Sequence, residues 1–379
     1  MTGGLRYLVA PDKFKGTLTA PEAAAAIARG IRRVDPRAEI VRLPFADGGE
    51  GTVDAVVGAG GERRYATVTG PLGGPVRAEW ARSGDVGVIE MAQASGLRHV
   101  TPAPDTALRA DTFGTGELIE AVLADGATRI VLGLGGSAST DGGFGALRAL
   151  GARFLDVHGA EVRDVADAGA VRSVDRGPLH PLLASVEIEV CADVLTPLTG
   201  PAGAARVFAG QKGADAAAVV VLESRLQALA RAFAALPGGA DALAAGGAAG
   251  GLAAGAIAVL GARVRSGVEV MADVLGLDAR IRAADVVIVG EGSLDEQSRM
   301  GKAPIGIARR ARRLGVPALA VVGVCALDPA SLTRDGIELV ASAAEAAPDV
   351  TAAFADPAEY VARAAESGVR AFLAAHSAR

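Results

Sequence analysis

The sequence predicts an α/β protein built from a discontinuous, Rossmann-like domain with a parallel sheet. A second α/β domain with a mixed sheet is inserted into it. The first sixty residues alternate strand, glycine-containing loop and helix, and the last hundred repeat that order. This βαβ order is typical of a parallel sheet. The middle of the chain differs, so we place the domains at 1–66 plus 278–379 and at 67–277.

The N-terminal segments show the βαβ pattern most clearly. Residues 5–10 form a short apolar run that predicts a strand. Thr19 and Glu22 have the spacing of a capping box, which predicts a helix that continues through Ile31. Residues 39–43 predict the next strand, and the glycine-rich segment ADGGEG follows it.

The C-terminal hundred residues repeat the alternation. Strands are predicted at 286–289, 318–322 and 338–341, with a helix after the first of them. Asp356 is positioned to cap the final helix, and Pro357 then lies in its first turn, where proline is tolerated. The repeated order supports a single parallel sheet formed by both ends of the chain.

The middle of the chain mixes two patterns. Residues 66–100 form short alternating segments separated by turns such as GPLGGP, which predicts antiparallel pairing. Residues 129–134 predict an apolar strand that precedes a glycine-rich loop. A longer helix is indicated by apolar residues at helical spacing: Leu222, Leu226, Leu229 and Phe233.

Composition excludes several classes of function. The 379 residues are 50% hydrophobic and 21% charged, with a net charge of −5, which disfavours nucleic acid or anionic membranes as partners. Two cysteines lie in apolar stretches, as expected of free thiols in a reducing cytoplasm. The N-terminus lacks the pattern of a signal peptide. Residues 242–260 are uncharged, but they are mostly glycine and alanine, which indicates a packed segment of a soluble protein.

Five apolar strands are each followed by a loop rich in glycine and carboxylates. The segments are LVAPDKFKG, LPFADGGEG, VLGLGGSASTDGG, VCADVLTPLTGP and VIVGEGSLDEQ. Ligands of open α/β sheets bind beyond the carboxyl ends of the strands. Glycine allows close approach of the backbone, and successive N–H groups bind anions. Carboxylates can hold Mg²⁺ beside a polyphosphate or accept a hydroxyl proton. The pattern therefore predicts a site for a phosphate-bearing ligand.

These loops supply the candidate site residues. In chain order they are Asp12, Lys13, Lys15, Asp47, Gly48, Gly49, Glu50, Gly135, Gly136, Ser137, Asp141, Gly142, Asp193, Lys212, Glu291, Asp295, Gln297 and Lys302. The chain uses arginine almost everywhere and retains only four lysines, each near a glycine, which favours contact with an anion. Structural alternatives remain open: a surface ion pair for the lysines, a tight turn around Asp47, and helix or turn caps for Asp141 and Asp193.

Two familiar nucleotide-binding motifs are missing. No GxxxxGK[ST] segment occurs, which excludes a P-loop enzyme, and no complete GxGxxG follows the first strand. The second absence weakens a Rossmann dinucleotide site.

The loops resemble those of the bacterial type I glycerate kinase family over nearly the whole chain. The matching stretches are APDKFKGTLTA, LPFADGGEGT, VTGPLGGPV, IEMAQASGL, DTFGTGELI, GLGGSASTDGG, CADVLTPLTGPAGAA, FAGQKGA, GGAAGGLAAG and GEGSLDEQSRMGKAP. The resemblance implies two α/β domains with an active-site cleft between them. It also implies Mg²⁺-dependent transfer of phosphate from ATP to D-glycerate, with the 2-position favoured over the 3-position. The family usually has Asn where this chain has Thr140 and Thr196. We expect a monomer or homodimer.

The mechanistic hypothesis assigns roles within these motifs. Asp193 is the first candidate for the base that deprotonates the glycerate hydroxyl, and Asp47 is the second. Lys13 and Lys15 are expected to bind the glycerate carboxylate or the moving phosphoryl group. We expect Asp193 and Asp295 as ligands of Mg²⁺. The alternatives are a nicotinamide-dependent hydroxy-acid dehydrogenase and a non-catalytic regulator that binds a sugar acid or nucleotide.

Overall fold

In the computed structural model, residues 4–192 and 196–377 are described, and they form two compact units. Unit 1 comprises the chain up to Asp47, the segment Asp54–Gly60 and the chain from Val268 onwards. Unit 2 comprises Gly48–Val53 and Gly61–Gly267. The domain boundaries that we derived from the sequence, at 66/67 and 277/278, stay a prediction.

The strands alternate with helices along most of the chain. In order, the strands are β1 Arg6–Pro11, β2 Glu39–Arg42, β3 Glu62–Thr69, β4 Pro75–Ser83, β5 Val86–Glu90, β6 Arg129–Gly133, β7 Arg153–Leu155, β8 Glu161–Val162, β9 Ser173–Asp175, β10 Glu187–Cys191, β11 Arg263–Arg265, β12 Val286–Leu294, β13 Ala318–Cys325 and β14 Ile337–Ser342.

The helices range from one to six turns. The α-helices are α1 Ala20–Val34, α2 Thr52–Gly58, α3 Ala92–Ser95, α4 Pro104–Arg109, α5 Phe113–Ala124, α6 Phe144–Ala149, α7 Ala204–Phe208, α8 Ala216–Ala234, α9 Gly239–Ala245, α10 Leu252–Leu260, α11 Gly267–Val274, α12 Leu277–Arg282, α13 Ala303–Arg313, α14 Pro329–Leu332, α15 Ala343–Ala346, α16 Val350–Ala355 and α17 Pro357–Ser377. Short 3₁₀-helices include Leu97–His99, Val165–Ala170, Pro181–Ser185, Gly210–Lys212, Ala248–Gly251, Glu296–Met300 and Thr333–Asp335.

Unit 1 contains the predicted parallel sheet. Its strand order is β14-β13-β12-β1-β2, and every neighbouring pair is parallel. The central strands are buried along nearly their whole length, which explains why they are continuous apolar runs and not alternating ones. α1 and α17 pack together in the core of this unit, where Ile27, Val361 and Phe372 are buried with residues of β1 and β12.

The two helix starts predicted in unit 1 are confirmed. The Thr19 hydroxyl accepts a hydrogen bond from the backbone N–H of Glu22, and the Glu22 carboxylate accepts one of 2.8 Å from the backbone N–H of Thr19. Asp356 likewise accepts a hydrogen bond from the Glu359 N–H, directly before Pro357. These local contacts satisfy N–H groups that have no partner within the helix.

Unit 2 is built on a mixed sheet of order β11-β10-β6-β5-β4-β3. The four strands from β11 to β5 are parallel to one another, whereas β5, β4 and β3 pair antiparallel. The antiparallel prediction is therefore confirmed for residues 66–90, but it is wrong for 92–95 and 97–99, which form short helices. A small antiparallel sheet of order β8-β7-β9 completes this unit.

The uncharged stretch at 242–260 is divided between α9 and α10, with a 3₁₀ turn between them. Nearly every residue of α10 is buried in unit 2. Among residues 4–192 and 196–377, no helix combines the length and the apolar character that a bilayer crossing requires.

Candidate active site

Unit 1 contains a cavity of about 700 Å³ at the carboxyl edge of its parallel sheet. Its lining includes residues of the loops after β1 and β2, the end of β12 with the loop that follows it, the end of β13, and the segment after β14. Eight of the candidate residues are among the lining residues: Asp12, Lys13, Lys15, Asp47, Glu291, Asp295, Gln297 and Lys302. Three segments that lie far apart in the sequence thus present lysines and carboxylates to one space.

The cavity includes the edge of the sheet at which the strand order reverses. The chain runs from β1 to β2 on one side, and β12, β13 and β14 follow on the other side of β1. Ligands of open α/β sheets bind at such a switch point. Pro11 pairs with Gly290 there, and the Asp12 N–H donates a 2.8 Å hydrogen bond to the Gly290 carbonyl oxygen. Asp12 and Glu291 are therefore neighbours, although 279 residues separate them.

The carboxyl group of Asp12 is strongly perturbed by its surroundings. Burial raises the pKa of Asp12 to about 7, and the negative charges of Asp47 and Glu291 contribute to the rise. The backbone N–H of Lys13, which donates a hydrogen bond of 2.6 Å to Oδ1, and the Lys13 ammonium oppose it. A carboxyl group that titrates near neutral pH suits proton transfer at physiological pH.

Glu291 provides a second buried carboxyl group. It is 5% exposed, and its Oε1 has no hydrogen-bond partner. Its Oε2 lies 3.6 Å from the Lys302 Nζ. Burial raises the pKa of Glu291, while a hydrogen bond from Ser298 and the ammonium of Lys302 oppose the rise. An orphaned oxygen beside a ligand cavity is suited to a cation or to a hydroxyl donor.

Asp295 has a clear local role. Its Oδ1 accepts a 2.9 Å hydrogen bond from the Gln297 N–H, and its Oδ2 accepts one of 3.3 Å from the Ser293 hydroxyl. It therefore caps the 3₁₀-helix Glu296–Met300. In the part of the chain that the structure describes, no group of three or more His, Cys, Asp or Glu side chains is arranged to hold a metal. The assignment of Asp295 as a Mg²⁺ ligand stays a prediction.

The remaining described candidates lie in unit 2, where two glycine-rich motifs meet. Gly48 has a φ of +88°, and a Cβ there would lie 2.4 Å from the Cβ of Cys191. A Cβ at Gly135 would approach the Cα of Gly49 to 3.1 Å. Gly48 is therefore required by its positive φ and by the close Cys191 side chain, whereas Gly135 allows a tight approach of the Gly49 backbone. Gly48, Gly49 and Glu50 thus border the loop that carries Gly135 and Gly136.

Asp141 anchors this loop and is buried. Its carboxylate accepts hydrogen bonds from the Thr112 N–H at 2.9 Å, the Thr112 hydroxyl at 2.7 Å, the Gly145 N–H at 3.0 Å and the Gly143 N–H at 3.2 Å. It joins the N-terminal ends of α5 and α6. Burial raises the pKa of Asp141, and these hydrogen bonds oppose the rise. Asp141 therefore has the geometry of a helix cap, which was the structural alternative to a phosphate-binding role.

Lys212 holds the same loop from another side. Its Nζ donates hydrogen bonds of 2.8 Å to the Ser137 hydroxyl and 2.5 Å to the Ser139 carbonyl oxygen. Burial lowers the pKa of Lys212 to about 8, and the negative charge of Asp141 opposes that shift. Gly142 has a φ of +66°, and its N–H donates to the Gly250 carbonyl oxygen. The loop is therefore fixed by contacts within unit 2.

Asp193, the first candidate for the catalytic base, lies outside the described residues. The two positions that depart from the family pattern are both described. Thr140 is 2% exposed and Thr196 is 7% exposed.

Sequence reasoning missed the apolar part of the unit 1 cavity. Val324, Val350 and Phe354 are among its lining residues, and all three are exposed. The available signal was the pair Val350 and Phe354, because residues four apart on a short helix share a face. No motif accompanies that pair, so the sequence alone does not identify it as part of a site.

The parallel sheet, the glycine-rich loops and the cavity with lysines and carboxylates together define an α/β phosphotransferase. Residues 7–373 match the model of the glycerate kinase family. The chain belongs to the glycerate kinase family. This membership supports the kinase interpretation over the dehydrogenase and the non-catalytic regulator.

Individual relatives agree with this assignment. The chain is 41% identical over 343 residues to the "Glycerate 2-kinase" of Escherichia coli, covering 89% of this chain and 90% of the relative. It is 42% identical over 373 residues to a "Glycerate kinase" of Bacillus subtilis, covering 95% and 96%. A crystal structure described as a putative glycerate kinase 2 from Salmonella typhimurium has a TM-score of 0.85 and 39% identity, with full coverage of both chains.

Proposed function

We propose that this chain transfers the γ-phosphoryl group of ATP to the 2-hydroxyl of D-glycerate, giving 2-phosphoglycerate and ADP. The observation that carries the proposal is the unit 1 cavity, in which Lys13, Lys15 and Lys302 share one space with four carboxylates. Lysine ammonium groups stabilise phosphate charge, and a carboxylate can accept the proton of the attacking hydroxyl. The Escherichia coli relative, named for the 2-position, supports the choice of product.

The donor atoms of the cavity fit Mg²⁺. This ion prefers carboxylate oxygens and is usually held by one or two of them together with substrate phosphates. Asp295 and the unpartnered Oε1 of Glu291 are of this type, and Asp193 remains a further candidate. When bound, Mg²⁺ would neutralise charge on the phosphate oxygens of ATP.

The protein's own residues would prepare the reaction in two ways. The lysines of the cavity orient the anionic substrates and stabilise charge on the moving phosphoryl group. The glycerate hydroxyl oxygen attacks the γ-phosphorus, the bond to the bridging oxygen of ADP breaks, and the hydroxyl proton passes to a carboxylate. Among the described residues, Asp12 is suited to this role because its pKa is about 7. Asp193 and Asp47 remain the candidates from sequence, and replacing each of the three with Asn compares them directly.

The direct test is to incubate the protein with Mg²⁺, ATP and D-glycerate and to resolve the products by phosphorus NMR. We expect ADP and 2-phosphoglycerate in equal amounts. Formation of 3-phosphoglycerate would correct the position of transfer. ADP formation that does not depend on glycerate would contradict the proposed acceptor.

Lys15 offers a separate test of substrate binding. We expect Lys15→Gln to raise the KM for glycerate or ATP about tenfold, because an exposed ammonium facing the cavity attracts an anionic ligand. The thermal midpoint should stay unchanged. Arg370→Gln is the matched control, since it removes the same charge from unit 1 at an exposed pair with Glu366 that does not line the cavity. Equal effects of the two variants would contradict a binding role for Lys15.

A further inference from the structure

The lining of the unit 1 cavity changes character along the sheet. Its charged side chains lie after β1 and β2 and at or after the end of β12, whereas the lining at the end of β13 and after β14 is apolar. Because the strand order is β14-β13-β12-β1-β2, this change runs across the sheet. Neighbouring strands are about 4.8 Å apart, so β1 and β14 are separated by about 14 Å. The cavity is therefore suited to an elongated ligand with one anionic and one apolar end.

The apolar part includes three large side chains that are exposed. Val324 at the end of β13 is 45% exposed, and Val350 and Phe354 on α16 are 59% and 63% exposed. All nine phenylalanines lie among the described residues, and the eight others are buried or partly buried, whereas Phe354 is exposed. Exposing this much apolar surface is unfavourable unless a ligand covers it.

The local structure keeps this surface turned toward the cavity. Asp349 caps α16 by accepting a 2.8 Å hydrogen bond from the Ala352 N–H, and none of the residues of this helix is buried. Val350 and Phe354 are four residues apart and share a face. Pro357, which starts α17 two residues after α16 ends, also lines the cavity. The helix thus presents an apolar face without packing it into the core.

We infer that Val324, Val350 and Phe354 bind the purine ring of ATP, with the ring stacked on Phe354. This inference rests on the proposed function, because it assumes that the triphosphate lies at the lysines of the same cavity. D-Glycerate has three carbons and three oxygen-bearing groups, so it has no apolar portion to cover this surface. A purine ring has two apolar faces, and stacking on an aromatic side chain is a common way to bind one. The volume of about 700 Å³ is also in the range of sites for nucleotide-sized ligands.

The test compares ATP with inorganic tripolyphosphate, which carries the phosphates without the base. With Mg²⁺ present and glycerate absent, calorimetry should show that Phe354→Ala weakens ATP binding about tenfold. Tripolyphosphate binding should change less than twofold, and Phe354→Tyr should bind ATP as the wild type does. In turnover, Phe354→Ala should raise the KM for ATP and leave kcat and the KM for glycerate near wild-type values.

Tyr65→Ala is the matched control, because Tyr65 is a 51% exposed aromatic residue of unit 2 that does not line this cavity. Unchanged ATP binding by Phe354→Ala, or equal weakening of ATP and tripolyphosphate, would overturn the inference. A change in oligomeric state with unchanged ATP affinity would also overturn it and would indicate a contact between copies of the chain.

The two proposals fail in different ways. A wild-type protein that binds ATP through Phe354 but does not phosphorylate glycerate would refute the proposed acceptor and leave the stacking inference standing. Normal glycerate kinase activity together with unchanged ATP binding by Phe354→Ala would refute the stacking inference and leave the proposed acceptor standing.

Discussion

Asp12→Asn is expected to lower kcat by about 10²- to 10⁴-fold and, at the same time, to make the protein more stable at pH 8. The loss of turnover follows from the general-base role, because the amide cannot accept the hydroxyl proton. The gain in stability follows from burial, since the charged carboxylate is the form that the cavity disfavours. A residue that costs stability and supports activity is characteristic of a functional site.

The sign of the stability effect follows from the raised pKa. Between the ordinary pKa of 3.8 and about 7, the folded protein binds a proton at Asp12 that the unfolded chain has released. Stability therefore falls as pH rises through that range and levels off above about 7. Three pKa units correspond to about 4 kcal/mol, and because the side chain retains some solvent contact we expect about 2 kcal/mol. Urea unfolding of Asp12→Asn and wild type should show a larger difference at pH 8 than at pH 5.

Asp47 provides the control for the pH dependence of turnover. In the wild type, kcat/KM should rise with pH through about 7, as Asp12 becomes ionised. The negative charge of Asp47 contributes to the raised pKa of Asp12, so Asp47→Asn should move this midpoint to lower pH. The γ-phosphate of ATP also titrates, but its pKa in solution does not depend on Asp47. A midpoint that stays in place in Asp47→Asn, with Asp12→Asn fully active, would remove Asp12 from the mechanism.

Asp141→Ala is expected to cause the largest loss of stability, about 3–5 kcal/mol. The substitution leaves three buried backbone N–H groups and the Thr112 hydroxyl without their acceptor. It also leaves the buried ammonium of Lys212 without its neighbouring negative charge. Thermal and urea unfolding would measure the loss. Asp141→Asn keeps one carbonyl oxygen as an acceptor, so its stability should lie between those of the wild type and Asp141→Ala.

Asp105→Ala is a suitable comparison within unit 2. Asp105 is 71% exposed and pairs with Arg109 four residues later, and such a pair contributes about 0.5 kcal/mol. The same experiment separates the two interpretations of Asp141. If Asp141→Ala were as stable as the wild type but inactive, the Asp141 carboxylate would act on the nucleotide and not as a helix cap.

The local sequence was sufficient to predict most secondary structure. Three of the correct predictions depend only on residues within one element or in neighbouring elements. They are the capping box at Thr19, the helix from the apolar spacing of Leu222 to Phe233, and the antiparallel strands of the turn-separated segments. Helix caps and periodic burial depend on residues that are close in sequence, so they can be recognised without knowledge of the fold. The glycine-rich loops after apolar strands were recognisable for the same reason.

Sequence patterns predicted which loops carry chemistry, and the resemblance pointed correctly to the glycerate kinase family. The proximity of Asp12 and Glu291 could not be predicted from local patterns, because it depends on pairing between β1 and β12, which are far apart in the sequence. The tertiary structure also revealed Phe354 as part of a cavity, and Asp141 and Lys212 as buried supports of a loop. Strand order and burial arise from packing between segments that are distant in the sequence. That packing buries Asp12, which raises its pKa, and leaves Phe354 exposed.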